Sequence, residues 1–108
     1  MADSGQIKRT LGIVIVHYRD IKKTLECLRS IAQCKQDDWK IEIVIIDNSQ
    51  TTHPEFIQLQ RFDISIIQTK NNDGYAAALN HGITWAQQAG LNYILLLKLI
   101  FMILYLLN

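Results

Sequence analysis

Apolar and polar positions alternate in blocks along the chain, and each block has a recognisable period. Leu11-Gly-Ile-Val-Ile-Val16 is a short, largely β-branched run of the kind that forms a strand covered on both faces, and His17-Tyr-Arg-Asp20 ends it. Asp20 is placed to cap a helix in which Ile21, Leu25, Leu28, Ile31 and Ala32 recur at helical spacing. Lys40-Ile-Glu-Ile-Val-Ile-Ile46 starts by alternating and becomes continuously apolar. It reads as a second strand, closed by the polar turn Asp47-Asn-Ser-Gln-Thr-Thr52. Pro54 suits the first turn of a short helix reaching about Gln60, and Ile64-Ser-Ile-Ile67 makes a third strand. After the polar Lys70-Asn-Asn-Asp-Gly74, the spacing of Tyr75, Leu79, Ile83 and Ala86 predicts a helix over 75–89, with Gly90 as its stop. Tyr93-Ile-Leu-Leu-Leu97 is the fourth strand.

Strand and helix alternating in this way predict βαβ units, hence an α/β fold of three layers, αβα, around a mainly parallel sheet. Right-handed crossovers leave few topologies, and strand order 3-2-1-4 fits best. In such sheets ligands bind beyond the carboxyl ends of the strands, at the switch point between the first strand and the fourth. The polar punctuation falls on that rim: His17 and Tyr18 after strand one, Asp47 and Asn48 after strand two, Asn71 and Asn72 after strand three, Lys98 after strand four.

Composition narrows the function classes. The 108 residues suit one domain, and 49% hydrophobic against 19% charged residues is enough apolar material for a core. Eleven basic against ten acidic residues, with no basic stripe, give a nucleic-acid partner no electrostatic support. Cys27 and Cys34 fit neither a zinc cluster nor a disulfide framework, so they read as buried or partly buried free thiols. Met1 to Thr10 lacks the apolar core of a secretory signal, and the expected location is the cytoplasm, peripheral to the inner face of the membrane if the apolar tail reaches it.

Candidate chemistry is sparse and concentrated on the rim. Asp47, just after an apolar strand, can accept hydrogen bonds from a base or ribose, or can simply open an Asx-turn with Asn48 and Ser49. Neither a dinucleotide-binding glycine loop nor a P-loop is present. The small residues Gly74, Ala76, Ala77 and Ala78 allow close approach at the start of the last helix. That approach serves a diphosphate at the helix N-terminus, tight packing on the sheet, or both. Asn80 is an awkward core residue and is expected to turn toward the rim. His17 reads as a hydrogen-bonded structural residue. No nucleophile–base pair and no metal cluster stand out, so no catalytic residue is assigned.

Assembled, these segments resemble the N-terminal part of a family 2 glycosyltransferase, with the rhamnosyltransferase-like branch most similar. The resemblance rests on Ile13-Val-Ile-Val-His-Tyr-Arg19, Cys27-Leu-Arg-Ser-Ile31, Ile45-Ile-Asp-Asn-Ser49 and Asn72-x-Gly74-Tyr75-Ala76-x-Ala78-x-Asn80-x-Gly82. It implies the nucleotide-binding half of a GT-A domain that transfers sugar from a nucleoside-diphosphate donor, UDP- or dTDP-linked, to a glycan acceptor in polysaccharide synthesis. By the same resemblance Tyr18 and Asp47 hold the nucleoside, and Asn72, Gly74 and Asn80 line the nucleotide-sugar pocket.

The sequence departs from the family after the fourth strand. There the family places an acid that helps bind a divalent cation, Mg²⁺ or Mn²⁺, whereas this chain continues Leu97-Lys98-Leu99-Ile100. Neither lysine nor leucine offers the oxygen donor such a cation requires. Residues 1–97 are therefore read as a partial GT-A domain and 98–108 as an apolar tail. From Tyr93 to Leu107 every residue but Lys98 is apolar, a run of 15 that falls short of the ~20 needed to span a bilayer. The tail is built from residues that A/T-rich codons encode, which favours an out-of-frame or truncated end and an inactive enzyme. The alternative is a small module that uses the tail to bind a membrane surface, a partner or another copy.

Overall fold

The computed structural model describes residues 9–34, 38–49, 54–59, 64–97 and 102–106. Eight elements follow one another: β1 (Arg9–His17), α1 (Ile21–Gln33), β2 (Trp39–Asp47), α2 (Pro54–Leu59), β3 (Ile64–Gln68), α3 (Tyr75–Gln88), β4 (Tyr93–Leu97) and β5 (Met102–Leu106). The strands form one sheet in the order β3-β2-β1-β4-β5. The first four are mutually parallel and in the expected order, while β5 runs antiparallel to β4.

Strand β1 is central, and its continuous apolar run is explained by cover on both sides: Ile13, Val14, Ile15, Val16 and His17 are all buried. Alternate side chains of the strands enter two cores. Val14, Val16, Val44, Ile46, Ile94 and Leu96 meet Ala78 and Ala86 of α3 on one face. Ile13, Ile15, Ile45 and Leu97 meet Leu28 of α1 and Phe56 of α2 on the other. These are the three layers, with α1 and α2 on one side and, among the described residues, α3 on the other.

The close seating of α3 depends on two glycines. A Cβ on Gly82 would lie 2.2 Å from a Val14 methyl, and one on Gly12 would lie 2.7 Å from Leu91. Helix ends follow the sequence signals. Asp20 caps α1 by accepting from the Lys23 backbone N–H at 3.1 Å. Gly90, at φ +71°, ends α3 in a Schellman pattern, with Leu91 N–H donating to Ala86 O and Gly90 N–H to Gln87 O. At the amino end of the sheet, Thr10 and Asn92 exchange three hydrogen bonds of 2.8–3.3 Å and clasp β1 to the start of β4.

Two observations amend the sequence reading. The stretch 98–108 was assigned no secondary structure, yet Met102–Leu106 pairs with β4 as an edge strand, with Leu97 opposite Met102 and Tyr93 opposite Leu106. Of the two free cysteines, Cys27 is half-buried as expected, but Cys34 at the α1 C-cap, where the helix ends, is exposed.

Candidate functional site

The carboxyl ends of β1, β2 and β3 and the N-terminus of α3 converge on one rim. At the end of β1, His17 turns into the core. Its Nδ1 lies 2.7 Å from the Thr24 hydroxyl, and its ring meets Phe56 edge-on at 4.8 Å. The histidine thus joins β1 to α1 and α2, as its structural reading anticipated. Tyr18 is 44% exposed, unusual for a large aromatic. The Arg19 guanidinium lies 4.9 Å from its ring centre, and Arg19 takes a left-handed φ of 65° at the turn into α1. The loop therefore presents an aromatic face and a cation together.

At the end of β2, Asp47 stands opposite His17 in register and is only 2% exposed. Its Oδ1 accepts the Ser49 N–H at 2.9 Å and the Ser49 hydroxyl, so it does form the Asx-turn that the sequence allowed. Both bonds fall on Oδ1, and a carboxylate has acceptor capacity beyond them on Oδ2. Asn48 is buried alongside. Its N–H donates to His17 O at 2.9 Å, its Oδ1 accepts the Thr69 hydroxyl at 2.6 Å, and its Nδ2 donates to Gly74 O at 3.4 Å. Thr69, just past β3, also donates its backbone N–H to Asp47 O at 3.0 Å.

The third side of the rim is the approach to α3. Asn72 Oδ1 accepts the Gly74 N–H at 3.2 Å, a second Asx-turn. Gly74 occupies the N-cap with φ +94° and ψ 175°, a conformation open essentially to glycine alone. It brings no side chain to cap the helix, and nothing lies within 4 Å of where a Cβ would stand. The first N–H groups of α3 thus have no side-chain cap from this position, the condition in which a helix N-terminus favours an anion.

Of the predicted residues, Asp47, Asn72 and Gly74 belong to this connected rim, and Tyr18 stands on the neighbouring loop. Asn80 does not join them. It is exposed on α3, more than a turn below the rim and on the side away from Ala78, Gly82 and Ala86. Asn48 and Thr69 are the residues that sequence reasoning undervalued. Asn48 carried a signal in its place directly after β2, whereas Thr69 carried none. The hydrogen-bonded rim also runs along β1, β2 and β3 rather than through the gap between β1 and β4, and Lys98 lies outside the described residues.

Residues 12–97 match the family model described as glycosyl transferase family 2. The chain belongs to that family. Glycosyl transferase family 2 is thereby the setting in which the rim has to be understood, and solved structures agree on its fold. The crystal structure of S. aureus TarS residues 1–349 superposes with a TM-score of 0.66 at 19% identity, over 86% of this chain and 27% of that one. The mannosyltransferase PcManGT from Pyrobaculum calidifontis, in complex with GDP-Man and Mn²⁺, gives 0.60 at 17% identity, over 82% and 27%. The chain thus spans about a quarter of the length of these two family-fold relatives. No curated protein matches it.

A divalent cation accompanies the nucleotide sugar in PcManGT. Among the described residues of this family 2 chain, no three His, Cys, Asp or Glu side chains come together as a metal site. The rim offers one buried carboxylate, Asp47, already engaged with Ser49, and the position after β4 is a lysine. This donor set does not fit a hard cation that needs several oxygen ligands. What the rim presents instead is an acceptor at Asp47, an aromatic face at Tyr18 and a helix N-terminus without a side-chain cap at Gly74.

Proposed function

We propose that these residues form the donor-nucleotide half of a glycosyltransferase that moves sugar from a nucleoside-diphosphate sugar to a glycan acceptor. The observation that carries the reading is the convergence of the ends of β1, β2 and β3 and the N-terminus of α3 on a single rim stitched by Asp47, Asn48, Thr69 and Gly74. In this reading Asp47 accepts from the base or ribose through Oδ2, and Tyr18 covers the nucleoside. The Asn72–Gly74 turn and the first turn of α3 face the diphosphate, and Asn80 reaches the sugar only if the donor extends down the outer side of α3. UDP- and dTDP-sugars are the donors of choice for this reading, and polysaccharide synthesis is the setting it implies.

A polypeptide of these 108 residues is expected to bind such donors weakly and to transfer no sugar, because the stretch Leu97-Lys98-Leu99-Ile100 after the fourth strand offers no acid where the family carries one for its cation. Titration calorimetry with UDP, dTDP and GDP and their sugars tests the first half, and release of free sugar or nucleotide tests the second. Asp47→Ala should weaken donor binding about tenfold or more, in line with the loss of a hydrogen bond to a charged acceptor. Unchanged affinity in that variant removes Asp47 from the site, and sustained turnover by the 108 residues overturns the reading that the stretch after the fourth strand leaves the chain without its cation ligand.

A further inference from the structure

We infer that Asn48 is a positioning residue, one that sets the Asn72–Gly74 turn and the start of α3 against the end of β2 and thereby governs binding of the diphosphate while leaving the nucleoside to Asp47. The inference rests on the donor-site reading above. Asn48 and Asp47 are neighbours in sequence with different tasks. Asp47 turns its Oδ1 back to Ser49 within its own loop, whereas the Asn48 side chain reaches two other segments of the chain.

The amide suits this bridge because it needs both halves of its chemistry. Its Oδ1 takes the Thr69 hydroxyl proton at 2.6 Å, and its Nδ2 gives a proton to Gly74 O at 3.4 Å. Thr69 is itself fixed by its N–H to Asp47 O, which aims the hydroxyl. The Gly74 carbonyl also accepts the Ala78 N–H at 3.2 Å, the first hydrogen bond of α3. The Asn48 donor therefore lands on the group from which the helix begins. Gly74 brings no capping side chain of its own, so this contact is a side-chain tie between the helix start and the end of β2.

An aspartate at position 48 would keep the acceptor for Thr69 but would set a second oxygen against the Gly74 carbonyl. Valine at position 69 would preserve side-chain shape and remove the hydroxyl proton. The test compares Asn48→Asp and Thr69→Val with the parent chain, using UDP against uridine, dTDP against thymidine and GDP against guanosine, followed by amide NMR. In both variants the diphosphate is expected to bind about tenfold more weakly, as for a lost hydrogen bond, while its nucleoside stays within about twofold. The amide signals of Gly74 and Tyr75 are expected to move, and those of Gly12 and Gly82 to stay. Equal weakening of nucleoside and diphosphate, or no weakening of either, overturns the positioning role and leaves the donor reading standing. A parent chain that binds none of the six ligands at millimolar concentration overturns the donor reading, and this inference with it.

Discussion

Cys27 and Cys34 lie on one helix and its cap, yet they should behave differently. Burial raises the Cys27 thiol above its ordinary pKa, whereas Cys34 is exposed. The thiolate is the reactive form, so at pH 8 iodoacetamide should modify Cys34 well before Cys27, as peptide mass spectrometry over a time course would show. Asp47 is the residue at which the sequence left two uses open, and the Asx-turn with Ser49 uses one oxygen of a group that has two. Local spacing could reveal the turn, since it spans two residues. It could not reveal Asn48 bonded to Gly74, 26 positions away, or to Thr69, 21 positions away. Those contacts exist only once β2 and β3 are side by side and α3 has crossed to the other face.

Among elements, α3 shows how two glycines can be indispensable for unrelated reasons. Gly82→Ala would drive a Cβ into the β-branched Val14, so it should destabilise the fold by roughly 1–3 kcal/mol or more through overpacking. Gly74→Ala meets no neighbour but must hold φ near +94°, and it should cost about 1–3 kcal/mol through backbone strain at the helix start. Urea denaturation of both variants, with the double variant Val14→Ala/Gly82→Ala, separates the cases. Shrinking Val14 should recover part of the loss at Gly82, while no partner substitution should recover Gly74. The elements from β1 to β4 were readable because each carries its own period and its own cap or stop, Asp20 and Gly90 among them. β5 was not, since a continuous apolar run has no period to read, and what makes Met102–Leu106 a strand is the free edge of β4.

At the scale of the whole molecule, ionisation sets an alkaline limit. The Cys27 thiol and the Tyr75 phenol are both raised by burial, so the unfolded chain loses these protons at lower pH than the folded one. The folded state then holds more protons, and the linkage relation makes stability fall as pH rises. The decline should begin near the pH at which free thiols ionise, about 8.5, and steepen toward about 10 where free tyrosine does. Urea midpoints measured from pH 7 to 10.5 should fall through that window, and Cys27→Ser should flatten its lower part.

The place of β1 in the middle of the sheet has a further consequence for how the protein is made. Among the described strands it is the first to leave the ribosome, and its neighbour on one side, β2, follows directly after α1. Its other neighbour is β4, and Asn92, which clasps Thr10, is synthesised 82 residues later. At translation rates of about 5–20 residues per second, this edge of β1 waits on the order of several seconds for its partner. During that interval any strand in the crowded surroundings can compete for it. The yield of soluble chain should therefore respond to translation speed through this unfilled seam.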